Sequence, residues 1–329
     1  MLKVGSIFCG CGGADLGILG GFSFLGKYYS KLPFETVFAI DNDPKAIETY
    51  NRNFEKKGRT VDIRNFRKQI PDIDLLVGGF PCQSFSTVNP TKNPFDERAK
   101  LYLEMSRLLE TKKPLAFIAE NVKGLMVLKN GRILNDIKKE FESKGYTVTH
   151  ALLNAVSFGV PQKRQRLFII GLRNDLNKTF DFAKSLSVEE QDVVPLRRVI
   201  PRLKISKKRY YFSDKAVLGM KRAKNNMKRG LYQNLEEPCL TITSHLAKAS
   251  LNSRDPVLLV DKNREIYRRF TPREAASIQS FPDTFEFIGS DQTAYKQIGN
   301  AIPPVLMWHV AKAVSGYLLE NKILLSCKE

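Results

Sequence analysis

A cysteine and a carboxylate are the side chains in this sequence best placed for covalent chemistry. Cys82 lies in a tight Gly/Pro turn, GGFPCQSFS over residues 78–86, that follows a short apolar run. A lone cysteine is usually a small buried hydrophobe, but one presented by such a turn at the edge of a sheet is a candidate nucleophile. Glu120 ends the next apolar run, so its carboxylate would lie near the thiol. The alternative for Glu120 is an acid that caps the following helix.

Two arginines form a second chemical pattern. Arg164 and Arg166 lie two residues apart in the sequence QKRQR. On an extended strand, residues two apart face the same way, so both guanidinium groups would point to one side. Arginine is suited to recognising carbonyl and phosphate oxygens. The alternative is a basic edge strand exposed to solvent.

A glycine-rich turn and two acids predict a nucleoside pocket. The turn FCGCGG, residues 8–13, follows the first apolar run and precedes a helix, so its glycines would let the backbone approach a ligand. A packing turn or a nicotinamide dinucleotide site would have a similar pattern. Asp41 ends the second predicted strand, where an acid typically binds ribose hydroxyls. Asp62, followed by Ile63, could offer a carboxylate to an adenine amino group. Each acid alone could equally be a helix cap or a solvated turn.

The elements that must position these residues alternate between strand and helix. This alternation predicts a Rossmann-like, doubly wound α/β sheet, with ligands outside the carboxyl ends of its strands. Apolar runs predict strands, and helical periodicity predicts the helices between them. The strands are expected at 3–8, 36–40, 75–78 and 115–119, the helices at 44–53, 100–111, 131–143 and 303–319, and a terminal antiparallel pair at 148–153 and 167–172.

Charge and composition indicate a polyanionic partner. The 329 residues contain 53 Lys and Arg against 34 Asp and Glu, a net charge of +19. Such an excess favours nucleic acid over an anionic membrane surface, with solubility as the alternative use. No apolar run is long enough to span a membrane, and the N-terminus lacks signal-peptide features. The five cysteines are scattered, so they give little support to a disulfide framework and favour a reducing cytoplasm. With only three histidines, a metal site also has little support.

The positive charge is concentrated in one segment. Residues 197–229 contain 13 Lys or Arg and one acid, Asp214, with three aromatic residues at 210–212. Periodicity is weak there, so we expect a small irregular domain that binds nucleic acid, although a solvated charged surface would have the same composition. The predicted organisation is a catalytic and cofactor-binding part at 1–189, a target-recognition domain at 190–265, and a return to the catalytic domain at 266–329.

Together these motifs resemble those of the DNA cytosine C5-methyltransferases, in particular the bacterial enzymes of restriction–modification systems. FxGxGG, PCQxFS, ENV and QxRxR occur here in the family's order, and RFTPRE at 269–274 and QIGNAIP at 297–303 also match. The resemblance covers residues 3–175 and 265–320. It implies a methyltransferase fold, S-adenosylmethionine as the methyl donor, and a specific double-stranded DNA sequence as the substrate.

The resemblance also implies a role for each residue. Cys82 would attack C6 of cytosine, because C5 becomes nucleophilic only after such an addition. Glu120 would hydrogen-bond to ring N3 and the exocyclic amine, and the two arginines to the base carbonyl and a phosphate. The target base must be flipped out of the duplex. The cofactor residues are expected to be Phe8, Gly10, Gly12, Gly13, Asp41, Asp62, Ile63, Asn300 and Ala301, and the substrate residues Pro81, Gln83, Ser84, Asn121 and Thr241, with Thr243, Ser244, His245 and Asn252 as candidate base readers.

Two departures and three alternatives accompany the resemblance. The stretch between Gly13 and Asp41 is longer than in compact members of the family, and Asn42 stands where an aromatic residue usually follows the acid. The alternatives are an RNA cytosine methyltransferase of the same fold, a nicotinamide oxidoreductase, and a catalytically silent DNA-binding protein. We expect a monomer in the bacterial cytoplasm, associated with the nucleoid, with any cognate restriction endonuclease acting independently.

Overall fold

The computed structural model describes residues 1–55, 57–67, 69–81, 101–186, 193–224, 232–247 and 256–326. Its strands are β1 (Leu2–Ile7), β2 (Phe22–Phe24), β3 (Lys27–Tyr29), β4 (Phe34–Asp41), β5 (Gly58–Thr60), β6 (Leu75–Gly78), β7 (Ala116–Val122), β8 (Tyr146–Asn154), β9 (Gln162–Lys163), β10 (Gln165–Arg173), β11 (Cys239–Leu240), β12 (Leu258–Asp261) and β13 (Ile266–Arg268). Its helices are α1 (Gly13–Leu19), α2 (Pro44–Asn53), α3 (Leu101–Lys112), α4 (Arg132–Glu142), α5 (Phe182–Ser185), α6 (Asp214–Lys224), α7 (Pro272–Ile278), α8 (Asp291–Asn300) and α9 (Pro304–Ser326).

A seven-stranded sheet forms the centre of the molecule, in the order β5-β4-β1-β6-β7-β10-β8. Neighbouring strands from β5 to β7 are parallel, and β10 runs antiparallel to both β7 and β8. The predicted α/β fold is therefore confirmed, including the antiparallel pair at its end. Strands β4 and β5 are added on one side of β1 within the sheet, towards one edge, and β6 is then added on the opposite side of β1, towards the other edge. This reversal creates a crevice between the carboxyl ends of β1 and β6, where such folds bind ligands.

The sequence explains why these strands lie in the middle. All four residues of β6 are buried, and β7 is buried from Ala116 to Ala119. Strands of a parallel sheet are covered on both faces, so they are continuous apolar runs without polar alternation. Helix α2 begins where the pattern predicts, because Asp43 caps the main-chain N–H groups of Lys45 and Ala46 and Pro44 occupies the first turn.

The extra residues between Gly13 and Asp41 contain a hairpin that was not predicted. Strands β2 and β3 pair antiparallel, and the hairpin packs on α9. The Tyr29 ring lies 5.3 Å from the Trp308 ring, and the indole Nε1 of Trp308 donates to the carbonyl of Ser30 at 2.8 Å. The added length therefore contributes to packing around α9.

The basic region, residues 190–265, shares part of its hydrophobic core with the domain built on the central sheet. Residues from its two ends, among them Leu196, Ile200 and Ile242, belong to the main hydrophobic core. A small core of its own surrounds Val217, Val257 and Tyr267. The expected boundary after residue 265 falls between β12 and β13, which pair with each other. Among the described residues, none of the helices combines the length and apolar character needed to cross a membrane.

Candidate active site

A cavity of about 750 Å³ opens at the crevice between β1 and β6. The carboxyl end of β7 and the loops that follow β1, β4, β5 and β6 line it, together with the end of α8 and residues from the QxRxR motif. Gly12 and Thr241 are not among the lining residues. The predicted site residues that line the cavity are Phe8, Gly10, Gly13, Asp41, Asp62, Ile63, Pro81, Glu120, Asn121, Arg164, Arg166, Asn300 and Ala301.

The glycine-rich turn after β1 takes an unusual backbone path. Phe8 has φ of 54°, a left-handed conformation that is uncommon for a bulky residue and typical of functional sites. Gly10 has φ of 55°, and a Cβ atom there would meet nothing within 4 Å. At Gly12, with φ of 94°, a Cβ atom would lie 2.3 Å from the ring of Phe54. Gly10 thus leaves open space beside the cavity, whereas Gly12 permits close packing behind the turn.

Asp41 holds this turn in place from the neighbouring strand. Its carboxylate accepts the main-chain N–H of Gly10 and that of Asp43, both at 2.9 Å. Burial raises the pKa of Asp41, while these two donors oppose the shift. One acid therefore fixes the loops after β1 and β4 relative to each other and lines the cavity between them.

The other acid of the predicted nucleoside pocket is paired. The Asp62 carboxylate lies 2.6 Å from the Arg64 guanidinium and accepts the main-chain N–H of Arg64 at 3.0 Å. The hydrogen bond from Arg64 lowers the pKa of Asp62, so the carboxylate stays ionised. Apolar side chains stand nearby in the cavity wall, among them Ile63 and Phe80. The cavity thus offers charged oxygens and apolar surface side by side.

Glu120 and Arg166 form an ion pair in the wall of the cavity. In the antiparallel pairing of β7 with β10, Arg166 lies opposite Val122, which places it diagonally across from Glu120. The Glu120 Oε1 and Arg166 Nε atoms are 2.9 Å apart, and the two side chains are only 13% and 14% exposed. Burial raises the pKa of Glu120, and the charge of Arg166 partly opposes that rise. The carboxyl therefore keeps a proton to higher pH than an ordinary glutamate does.

Asn121 orients the chain that leads to the cysteine. Its side chain is buried, its Nδ2 donates to the Phe80 carbonyl at 3.0 Å, and its Oδ1 accepts the N–H of Val122 at 2.9 Å. This bond joins the end of β7 to the loop after β6, just before Pro81. Cys82, Gln83 and Ser84 lie outside the described residues, as does Asn252.

The two arginines of the QxRxR motif both line the cavity, but they bond to different partners. Arg164 lies between the paired residues of β9, which ends at Lys163, and those of β10, which begins at Gln165. The Arg164 guanidinium is 1% exposed and donates to the carbonyls of Ile242, Gly299 and Ala301, each at 3.0 Å. Its terminal nitrogens thus serve main-chain oxygens, and Arg166 is the arginine that pairs with Glu120. Thr241, assigned to the substrate, donates its hydroxyl to the Lys163 carbonyl at 2.8 Å.

Some lining residues were not predicted. Lys296 forms an ion pair with Asp43 at 2.7 Å, and Gln297 donates to the carbonyl of Lys45 at 2.9 Å. Both residues join α8 to the start of α2 across the cavity. Gln297 begins the QIGNAIP motif, so its place in the sequence signalled the site, but the pairing of Lys296 with Asp43 required the fold.

Comparison with known families assigns the chain to a family. A model of the C-5 cytosine-specific DNA methylases matches residues 2–316. The chain belongs to this family. Its curated relatives include the Type II methyltransferase M.FnuDI of Fusobacterium nucleatum, 33% identical over 98% of this chain and 96% of the relative. Another is M.NgoPII of Neisseria gonorrhoeae, 32% identical over 95% of each chain. The methylase is accordingly a DNA cytosine-5-methyltransferase of the restriction–modification type, which is favoured over the nicotinamide oxidoreductase alternative.

Solved structures agree with this fold. A prophage-encoded DNA modification methyltransferase of E. coli has a TM-score of 0.73 at 23% identity, with 97% of this chain and 99% of that chain covered. The Dnmt2 methyltransferase of S. pombe has a TM-score of 0.74 at 20% identity, with 98% and 99% covered. At such identities the likeness concerns the fold alone, and it extends over nearly the whole chain.

Proposed function

We propose that the methylase modifies C5 of a cytosine flipped out of a specific double-stranded DNA sequence, with Cys82 as its covalent nucleophile. The observation that carries this proposal is the buried pair of Glu120 and Arg166 in one cavity with Pro81, the residue before Cys82. A carboxyl with a raised pKa and a guanidinium beside it match the needs of a cytosine ring during nucleophilic addition.

The cavity fits S-adenosylmethionine as the methyl donor. Its volume lies in the range of about 300–1,000 Å³ that is usual for small-molecule sites. We assign Asp41 to the ribose hydroxyls, Asp62 and Ile63 to the adenine, and Phe8, Gly10 and Gly13 to the path between them. Asn300 and Ala301 complete the opposite wall. When bound there, this cofactor supplies a methyl group activated by a sulfonium centre.

The chemistry then follows from the residues of the chain. The Cys82 thiolate adds to C6, which forms the Sγ–C6 bond and turns C5 into an enamine carbon. Glu120 donates its proton to N3 and so offsets the negative charge that develops in the ring. After C5 has gained its methyl group, a base, through water, removes the C5 proton. The Sγ–C6 bond then breaks, and Glu120 recovers its proton as the ring regains its aromatic state.

The other residues hold the base. Arg166 is placed for the base carbonyl or the adjacent phosphate, because its guanidinium lies beside Glu120. Pro81 and Asn121 shape the pocket, and Gln83 and Ser84 follow the nucleophile. Flipping the base costs a few kcal/mol, which phosphate and base contacts must offset. We assign these contacts to residues 190–265, and we infer a monomer that acts on nucleoid DNA independently of any restriction endonuclease.

One experiment tests the proposal directly. The chain is expressed in a host without cytosine methylation, and the host DNA is sequenced after bisulfite treatment. We expect one short sequence motif to be methylated at one cytosine throughout the genome. Purified methylase should transfer labelled methyl groups from S-adenosylmethionine to duplex DNA in preference to transfer RNA. Methylation of transfer RNA alone would contradict the DNA substrate, and scattered methylation without a motif would contradict sequence specificity.

A further inference from the structure

The C-terminus of α8 is held by buried side chains from two other segments. The last carbonyls of a helix lack partners within it, so they must find donors elsewhere. Here Gln279 donates to the carbonyls of Ile298 at 3.1 Å and Ala301 at 2.7 Å. Arg164 donates to those of Gly299 and Ala301, both at 3.0 Å. A cation at this end of the helix also complements its dipole.

Side chains of the QxRxR motif also hold residues 239–242, which belong to the basic region. Strand β11 pairs in parallel with β9. Arg164 donates to the carbonyl of Ile242 at 3.0 Å, and the Oε1 of Gln162 accepts the N–H of Ile242 at 3.0 Å. The Nε2 of Gln162 contacts Gln279. Gln162, Arg164 and Gln279 are all fully or almost fully buried. One polar junction thus joins the QxRxR motif, residue 242 and the end of α8.

Gly299 adds a steric constraint to this junction. A Cβ atom on Gly299 would lie 2.2 Å from the carbonyl carbon of Thr243 and 2.2 Å from the nitrogen of Ser244. The peptide between residues 243 and 244 therefore rests directly on the backbone of α8. Gly299, Ala301 and Arg164 also line the cavity, so this peptide lies just behind the cavity wall. Further along, His245 is exposed.

We propose that Arg164 and Gly299 are positioning residues for DNA recognition. They hold residues 242–244 at a fixed place behind the wall of the base and cofactor cavity, so that residues 243–245 meet the DNA in a set register beside the flipped cytosine. This inference rests on the proposed function, because it takes residues 190–265 as the recognition region. Neither residue touches the base: Arg164 acts through the Ile242 carbonyl, and Gly299 through the peptide after Thr243.

Gly299→Ala is the sharpest test, because the added methyl group displaces the 243–244 peptide and leaves every charge in place. The matched control is Gly316→Ala, where a Cβ atom meets nothing within 4 Å. We expect Gly299→Ala to raise the KM for the unmethylated duplex substrate and to lower discrimination against single base-pair changes, each by about tenfold or more. The KM for S-adenosylmethionine and the kcat at saturating DNA should stay within about threefold of wild type. The control should match wild type in both KM values, in kcat and in discrimination.

Arg164→Lys and Arg164→Met test the other side of the junction. A lysine keeps the charge but cannot reach three carbonyls from one nitrogen, so it should lose part of the discrimination, and methionine should lose more. His245→Ala, at an exposed position, keeps the test decisive if the buried variants unfold, because it should alter DNA affinity or discrimination by about fivefold or more.

The outcomes separate this inference from the proposed function. If the wild-type protein methylates a defined sequence while Gly299→Ala and His245→Ala both retain its discrimination, the inference is overturned and the proposed function stands. A selective rise in the KM for S-adenosylmethionine in Gly299→Ala would overturn it too, since the glycine would then serve the cofactor. If the wild-type protein methylates no DNA, the proposed function itself fails.

Discussion

The cavity at the sheet edge and the basic region after residue 190 are built by different physical means. The cavity is made of the carboxyl end of β7 and of short loops after β1, β4, β5 and β6, and the sheet sets the place of each. The described residues of the basic region form one helix of more than two turns, α6, and the short strands β11 and β12, and side-chain bonds to the main chain help to hold them. Arg268, which is fully buried, pairs with Glu274 at 2.7 Å and donates to the carbonyls of Arg202 and Leu203.

The positive side chains at residues 207–209 of the basic region fall into two groups, according to whether they pair with a carboxylate. Arg209 pairs with Asp291 at 2.9 Å, and Tyr210 donates its hydroxyl to the same carboxylate at 2.8 Å. These groups anchor the segment to α8. Lys207 and Lys208 are exposed, and no carboxylate among the described residues lies within ion-pair distance of either. Composition alone gave all of these residues one role, whereas the structure separates anchors from free cations.

The largest effect is expected at the nucleophile. Cys82→Ala should abolish methyl transfer, because it removes the sulfur that we propose bonds to C6. Binding of duplex DNA, measured by fluorescence anisotropy, should stay close to wild type. This separation is expected because we assign DNA binding to the basic region and the chemistry to the cavity.

Mechanism-based trapping supplies the matching positive result. A duplex with 5-fluorocytosine at the target position should form a covalent adduct with the wild-type protein, because fluorine cannot leave as the C5 proton does. Cys239→Ser is a suitable control, since Cys239 is buried away from the cavity lining. Turnover by Cys82→Ala near the wild-type rate, or an adduct that survives the loss of Cys82, would disprove its role.

The next effect concerns Glu120. Glu120→Gln keeps the shape of the side chain but cannot transfer a proton, so we expect a loss of about 10²–10⁴-fold in kcat. Glu110 lies on α3, where its carboxylate pairs with Lys144, and Glu110→Gln should have no such effect. A change confined to the KM for S-adenosylmethionine would assign Glu120 to the cofactor.

The pKa of Glu120 also predicts how kcat should change with pH. Burial raises the pKa of Glu120, so the protonated donor persists to higher pH than an exposed glutamate allows. The contribution of the donor to kcat is full below that pKa and declines as the pH rises through it. The wild-type profile should therefore show this falling limb, and the profile of Glu120→Gln should lack it. A falling limb that remains in Glu120→Gln belongs to another group.

Sequence patterns predicted the cavity well for a reason specific to parallel sheets. Because Leu75–Gly78 and Ala116–Val122 are neighbouring parallel strands, the residues at their carboxyl ends share one edge of the sheet, and this brings Pro81 and Glu120 to the same cavity. Arg164 could not be predicted in this way. The break between β9 and β10 depends on pairing with β11, almost eighty residues later in the chain. The hairpin at residues 22–29 was also missed, because its packing partner is α9.

A buried acid beneath the cavity yields a prediction about stability. Asp15 is fully buried in α1 and accepts the hydroxyls of Ser6 and Tyr50, both at 2.9 Å. Burial raises its pKa from an ordinary value of about 3.9 to about 6. Because the folded-state pKa is the higher one, the stabilising contribution is full below about pH 4 and is lost as the pH rises through about 6.

Asp15→Asn isolates this contribution, because asparagine is uncharged throughout. The free energy of unfolding of the wild type relative to the variant should fall by about 2 kcal/mol between pH 4 and pH 7. Urea unfolding at several pH values measures the difference. Asp72→Asn, at an exposed aspartate, should show no comparable trend. A constant difference between wild type and Asp15→Asn would mean that Asp15 does not titrate in this range.

The smallest effect per residue is expected in the basic region. If about six to ten phosphates are contacted, the affinity of the wild type for DNA should fall by roughly 10³–10⁵ between 50 and 200 mM salt. Each of Lys207→Gln and Lys208→Gln should reduce the slope of log affinity against log salt by about one, equally for cognate and unrelated DNA. Lys57→Gln, at a lysine paired with Glu35, should leave the slope unchanged.

Arg209→Gln is the variant that distinguishes an anchor from a phosphate contact. Its guanidinium is paired with Asp291 and lies over the Tyr210 ring at 5.0 Å, so its loss should loosen the segment from α8. We therefore expect Arg209→Gln to lower discrimination between cognate and altered sites, while the two lysine variants preserve it. Exchanging residues 201–235 for those of a relative with another target, with both core-packed ends retained, extends the test to the whole segment. A hybrid that stays active and keeps the original target would move base reading out of this exchanged segment, leaving residues 243–245 and Asn252 as the candidates named in the region.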